Sequence, residues 1–77
     1  MNKNQGKILK ISGPVVEGTG LPDLNMGDLV YVSSLQLAGE VIKIFENSFI
    51  VQVYEDTSGV KPGDLIVSTG KPISAQL

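Results

Sequence analysis

The amino-acid sequence predicts an all-β domain, a six-stranded closed antiparallel β-barrel. Three observations carry this expectation. Val and Ile supply 16 of the 77 residues while Ala supplies two, a balance that suits pleated strands better than helices. Nine glycines and four prolines break the chain at short intervals, as tight turns between short strands require. No stretch sustains the 3.6-residue apolar period of an amphipathic helix. With no helix to cover it, so small a sheet must bury its apolar face on itself, and closure also removes its open edges.

Residues 1–5 read as a frayed, disordered N-terminus, leaving 6–77 as a single barrel domain. The first strand is expected over 7–12 (KILKIS), closed by Gly13 and Pro14. Pro14 cannot donate to a ladder, so it belongs at a strand start, bulge or edge. Residues 15–17 continue extended. The stretch 18–27 (GTGLPDLNMG) reads as a loop that Leu21, Leu24 and Met26 fold back on the barrel as a lid. A strand over 28–33 (DLVYVS) puts Leu29, Tyr31 and Ser33 on one face and Val30 and Val32 on the other.

Residues 34–39 read as a loop or, from the Ser33 and Gln36 spacing of a capping box, one helical turn; Gly39, placed as a turn residue, favours the loop. Strands are expected over 40–45 (EVIKIF) and 49–54 (FIVQVY), joined by a hairpin in which Asn47 suits a positive φ. Residues 55–59 form a polar loop ending at Gly59. Lys61-Pro62-Gly63-Asp64 fits a type II turn, with Pro62 presetting φ and Gly63 taking the positive one. A strand over 64–68 follows, then a turn over 69–72 that includes Gly70, then an extended 73–77. Gly27-Asp28-Leu29-Val30 echoes Gly63-Asp64-Leu65-Ile66. The echo reads as shared turn chemistry, not as a repeat.

The chemistry-bearing residue types are few. One domain is the ceiling at this length, and it buries only ~60% of its unfolded surface, leaving little room for a deep pocket. There is no cysteine and no histidine, so thiolate metal sites and a Ser-His triad within the chain are excluded. The only Gly-Lys pairs are Gly6-Lys7 and Gly70-Lys71; Pro72 follows the second, and Leu65 stands where a phosphate-binding loop has its first glycine. Gly18 and Gly20 lack the third glycine and the helix of a dinucleotide fingerprint, position 23 being Asp. Glu55 and Asp56 are adjacent loop charges, and no alternating acidic run offers a calcium loop. The net charge of −2 argues against nucleic acid, whose binders carry a basic excess. Tyr31, Phe45, Phe49 and Tyr54 are read as core packing before base stacking, with Phe45 and Phe49 placed to cap a barrel end. No apolar run approaches the roughly 18 residues of a membrane span, and the polar start lacks a signal-peptide core. The expected setting is intracellular.

The residues then add up to a resemblance. GKILKISGPVV (6–16), LAGEVIKI (37–44), IVQVYEDTSGVKPGD (50–64) and STGKPISAQL (68–77) resemble, in order, the N-terminal β-barrel of the catalytic A subunit of V-type and archaeal-type (A-type) rotary ATPases. Gln52-Val53-Tyr54-Glu55-Asp56-Thr57-Ser58-Gly59 is closer to the A than to the B form, while Leu21-Pro22-Asp23 departs towards the F-type β loop. The resemblance implies a collar barrel in an alternating A/B hexamer, with B-subunit barrels as partners. Lateral contacts would use the loops carrying Leu21, Leu24, Met26, Glu55 and Asp56. It implies a non-catalytic fragment of a longer chain, with ATP and Mg in a downstream domain and no catalytic, cofactor-binding or metal-ligating residue here. It also implies a cytoplasmic place peripheral to a membrane-bound, proton- or sodium-transporting complex, and a monomeric isolated domain. The alternative is an SH3-like RNA-binding barrel of a ribosome- or transcription-associated protein, from Gly27-Asp28-Leu29-Val30-Tyr31-Val32 and Gly39-Glu40-Val41-Ile42. An enzyme acting through this chain alone is a third reading, disfavoured by the missing side chains.

Overall fold

The computed structural model describes residues 5–72. Six strands follow in order: β1 Gln5–Ser12, β2 Val15–Thr19, β3 Asp28–Val32, β4 Leu37–Ile44, β5 Phe49–Val53 and β6 Leu65–Pro72. They close into a barrel in the order β1-β2-β5-β4-β3-β6, every neighbouring pair antiparallel. Inward positions alternate with outward ones. Each strand sends at least one branched aliphatic fully inside: Ile8, Val16, Val30 and Val32, Val41, Val51 and Ile66. Such β-branched side chains suit a half-buried pleat and fill the small interior. The alternation read for β3 holds, with Val30 and Val32 inside and Tyr31 outside.

The strand order explains the loops. β2 and β3 lie opposite each other, so residues 20–27 must cross one barrel mouth. β5 and β6 are likewise opposite, so 54–64 cross the other. Leu21 and Leu24 from the first loop, and Val60 from the second, are buried in the core as plugs. Each loop is a pair of consecutive turns. Leu24 N–H donates to Leu21 O and Asp28 N–H to Asn25 O; Val60 N–H donates to Thr57 O and Asp64 N–H to Lys61 O. Gly27 (φ 84°) and Gly63 (φ 94°) occupy the left-handed position of their turns, as read for Lys61–Asp64. Each turn's Asp accepts from the N–H three residues back, at 2.9 Å in both cases. Gly27 N–H then donates to Val41 O, and Gly63 N–H to Ile8 O. Those acceptors sit beside matching bulges, between Ile8 and Lys10 in β1 and between Val41 and Lys43 in β4.

The chain therefore folds as two alike triplets, β1–β3 and β4–β6; exchanging one for the other returns the same cyclic strand order. The Gly-Asp echo belongs to this arrangement and is more than shared turn chemistry. A second echo goes with it: Gly6-Lys7-Ile8-Leu9-Lys10-Ile11 in β1 against Gly39-Glu40-Val41-Ile42-Lys43-Ile44 in β4, identical at three of six positions.

Several expectations are corrected. Gln5 is not frayed, because it pairs with Val67; residues 1–4, and the extended 73–77, lie outside the described residues. Gly18 sits inside β2, not in a loop. Gly39 is no turn residue: it lies in β4, where a Cβ would come within 2.6 Å of a Val51 methyl and 3.0 Å of the Gln52 carbonyl oxygen. The β3–β4 connection is a four-residue turn, 33–36, with Ser33 and Gln36 both at positive φ. The Ser33 hydroxyl accepts from Leu35 N–H and so caps a turn instead of a helix. Residues 69–72 are strand, and Gly70 is not a turn residue. The register of β6 shifts between the Ser68–Val30 and Pro72–Asp28 pairs, so the Thr-Gly signal marks an irregularity in a strand, as interior glycine often does. Asn47 is not at positive φ; the 45–48 turn is held by Phe45 N–H donating to Ser48 O.

Candidate functional site

Among the described residues, no three His, Cys, Asp or Glu side chains gather where they could hold a metal. No helix there is long and apolar enough to cross a membrane. The carboxylates that drew attention are used structurally. Asp28, 6% exposed, and Asp64 each hold a turn N–H. Asp56 accepts from both the N–H and the hydroxyl of Ser58, folding the polar loop on itself. Glu55 is exposed beside it. Glu40 accepts from the Tyr54 hydroxyl at 2.7 Å. That hydrogen bond, helped by slight burial and the carboxylate's charge, raises the Tyr54 phenol above the usual tyrosine range.

The turn residues read from sequence tie the loops to the hairpins. Gly13 (φ 60°) and Pro14 make the β1–β2 turn, and their carbonyls accept from the Thr57 hydroxyl and Val53 N–H respectively. Gly59 and Pro62 sit in the two consecutive turns of the second crossing loop. At the other mouth the Thr19 hydroxyl donates to the Asn47 carbonyl at 2.7 Å.

Of the five residues assigned to contact loops, Leu21 and Leu24 are buried in their own barrel, whereas Met26, Glu55 and Asp56 are exposed. Phe49 is core, but Phe45 is half exposed. Outward apolar side chains that the strand patterns do not single out include Ile42, Ile44, Leu9 and Leu65. Leu9 and Ile42 face out because they are the extra residues of the two bulges. A polar-apolar alternation cannot reveal this, since a bulge shifts the phase mid-strand.

The plugged barrel has its likeness among known proteins. Residues 8–70 match the family model for the β-barrel domain of the ATP synthase alpha/beta family. The chain belongs to that family. It is 48% identical over 75 residues to the A subunit of the A-type ATP synthase of Thermofilum pendens, covering 97% of this chain and 12% of that protein. It is 44% identical over all 77 residues to the V-type ATP synthase alpha chain of Clostridium botulinum (strain Okra / Type B1), covering 13% of that protein. With the alpha chain of Thermoanaerobacter sp. (strain X514) it shares 50% identity over 74 residues, 96% of this chain and 12% of the relative. The chain thus spans about an eighth of the length of these relatives. The resemblance to the A-type and V-type barrel is borne out, and the SH3-like RNA-binding alternative gives way to it.

Proposed function

We propose that this domain is the collar barrel of a V/A-type ATPase catalytic A subunit, holding an alternating A/B hexamer together during ATP-coupled proton or sodium transport. The observation that supports this best is the match of residues 8–70 to a barrel domain, with the A-type and V-type relatives aligned over nearly the whole chain. The barrel suits such a role physically. Every strand has two hydrogen-bonded neighbours, and both mouths are plugged by loops pinned to the opposite hairpin, so little can shear. In this reading the barrel does no chemistry; ATP and Mg are bound by a domain that follows it. The partners are B-subunit barrels, met through exposed residues such as Met26, Glu55 and Asp56, and nucleic acid is not among them. The complex is peripheral to the membrane on the cytoplasmic side, and the barrel alone is a monomer.

Deleting the barrel from the full-length protein tests this. The truncated protein should bind nucleotide yet fail to form a hexamer with B subunits in sedimentation. Hexamers of unchanged stability without the barrel would refute the collar role.

A further inference from the structure

The two triplets interlock. Within the first, only β1 and β2 pair; within the second, only β4 and β5. The other four pairings, β2–β5, β4–β3, β3–β6 and β6–β1, run from one triplet to the other. β3 has both neighbours in the second triplet, and β6 has both in the first. A triplet by itself is thus a hairpin with a loose third strand, whose backbone groups must find partners elsewhere. The other triplet supplies them, and nothing in the ladder requires it to come from the same chain.

Residues 33–36, between β3 and β4, are the covalent link between the triplets. Ser33 (φ 64°) and Gln36 (φ 59°) both stand in the left-handed region that residues with a Cβ avoid. Among the described residues they are the only non-glycine residues at positive φ, so backbone strain is concentrated at this link. The turn is held by Gln36 N–H donating to Ser33 O at 3.0 Å and Leu35 N–H to the Ser33 hydroxyl at 2.9 Å. Leu35 and Gln36 are exposed, so opening the turn hands both N–H groups to water at small cost. The other connections differ. The turns at 13–14 and 45–48 join strands paired within a triplet, and the crossing loops bury Leu21, Leu24 and Val60. Pro72 pairs with Asp28 at the start of β3, so β6 runs out at the mouth away from this turn and leaves the turn's surroundings open.

We propose that the surface between the triplets is also an interface between chains: two copies exchange triplets, β1–β3 of each closing a barrel with β4–β6 of the other, with residues 33–36 as the hinge. Every strand pairing and the whole aliphatic interior are kept in the exchanged pair, and only the turn is given up. A short hinge under strain favours this route. The single-chain barrel holds at low concentration, where the link keeps the two triplets together. Exchange competes when chains fold at millimolar concentration, comparable to the effective concentration a short link provides.

The test refolds the 77-residue chain carrying Lys7→Cys and Leu65→Cys from urea and then oxidises it. The natural sequence has no cysteine, and these two positions are paired across β1 and β6 and exposed. In a single-chain barrel, or in barrels touching by their outer walls, the disulfide closes within one chain. In the exchanged pair it joins two chains, which denaturing electrophoresis without reductant reads directly. Linked pairs should form after refolding at millimolar concentration and fall to the chance level, set by Lys7→Cys alone, after refolding at micromolar concentration. Gln36→Gly, added to the pair, should lower the linked fraction about fivefold, because each dimer opens two turns and glycine relieves the closed one. Gln36→Pro should raise it, since proline forbids the positive φ of the closed turn but fits an extended hinge. Linkage at the chance level with the natural turn overturns the proposal, whether or not the proline variant folds. A linked fraction indifferent to Gln36→Gly also overturns it, and places the hinge elsewhere. The collar role is tested by assembly of the barrel-deleted protein, so either reading can fail while the other stands.

Discussion

The first triplet, β1–β3, and the second, β4–β6, trace the same path around one barrel, and their agreement in sequence includes the positions where the backbone demands it. The glycines before the bulges, Gly6 and Gly39, match; so do the turn pairs Gly27-Asp28 and Gly63-Asp64. Outward positions are looser: Lys10 matches Lys43, but Lys7 stands against Glu40, and Leu29 is half-buried where its counterpart Leu65 is exposed. Positions fixed by close backbone approach or positive φ admit one or two residue types, whereas the outer wall admits many. The shared glycines and turn aspartates therefore build the barrel, while its outer wall is free to vary.

Substitutions at paired positions can break or sharpen this comparison. The largest effects are expected at Gly6 and Gly39. At Gly39 a Cβ meets a Val51 methyl that can turn away and the Gln52 oxygen at 3.0 Å; at Gly6 it runs into the Thr19 backbone oxygen. Gly39→Ala should cost about 2–3 kcal/mol in urea unfolding, and Gly6→Ala more, because backbone yields less than a side chain. The reverse order would show that the first triplet is the more compliant one. Next come Gly27→Ala and Gly63→Ala. Nothing lies within 4 Å of either added methyl, so only the positive φ is strained, and each should lose about 1 kcal/mol. A clear inequality between them would mean that the two turns do not carry equal strain.

Gln36→Gly tests a feature with no counterpart, the turn that joins the triplets. Gln36 sits at φ 59°, so glycine should raise stability by about 0.5 kcal/mol in the same assay. The smallest effect belongs to Tyr54→Phe, which removes the hydrogen bond to Glu40. The pair is exposed and screened, so a loss of no more than about 0.5 kcal/mol is expected at neutral pH. Its pH dependence has a definite sign. The folded phenol titrates above its unfolded value, so the contribution is fully present below the unfolded tyrosine pKa, ~10, and is lost as pH rises through the folded value. Stability of wild type and variant should therefore converge in strong alkali; a difference that persists there would assign the effect to packing.

Much of the fold was legible because turns and strands of this kind are written locally. Pro62-Gly63 named its turn, and Val30 and Val32 declared their face. Two of the failures share one cause: a single glycine does not say why it is there. Gly39 and Gly70 read as turns but lie in strands, the first for lack of room beside Val51 and the second in a strand whose register shifts. The likeness of residues 6–11 to 39–44 was present in the letters, and with the Gly-Asp echo it would have disclosed the two triplets. The strand order was less legible. Leu21 and Leu24 read as a lid and do close a mouth, but which strands their loop joins is set by the whole barrel.

The seam that closes the barrel also has a direction. β1 and β6 are antiparallel neighbours joined through Gln5–Val67, Gly6–Ile66 and Lys7–Leu65, and Gln5 and Pro72 both lie towards the mouth at which β6 leaves. A pull applied to those two ends would load the seam's hydrogen bonds one after another, as a zip opens, instead of all together as in sliding. Tension along the chain is thus resisted mainly by the interlocked aliphatic interior behind the seam, and single-molecule pulling from residues 5 and 72 should open this domain at lower force than pulling from opposite mouths.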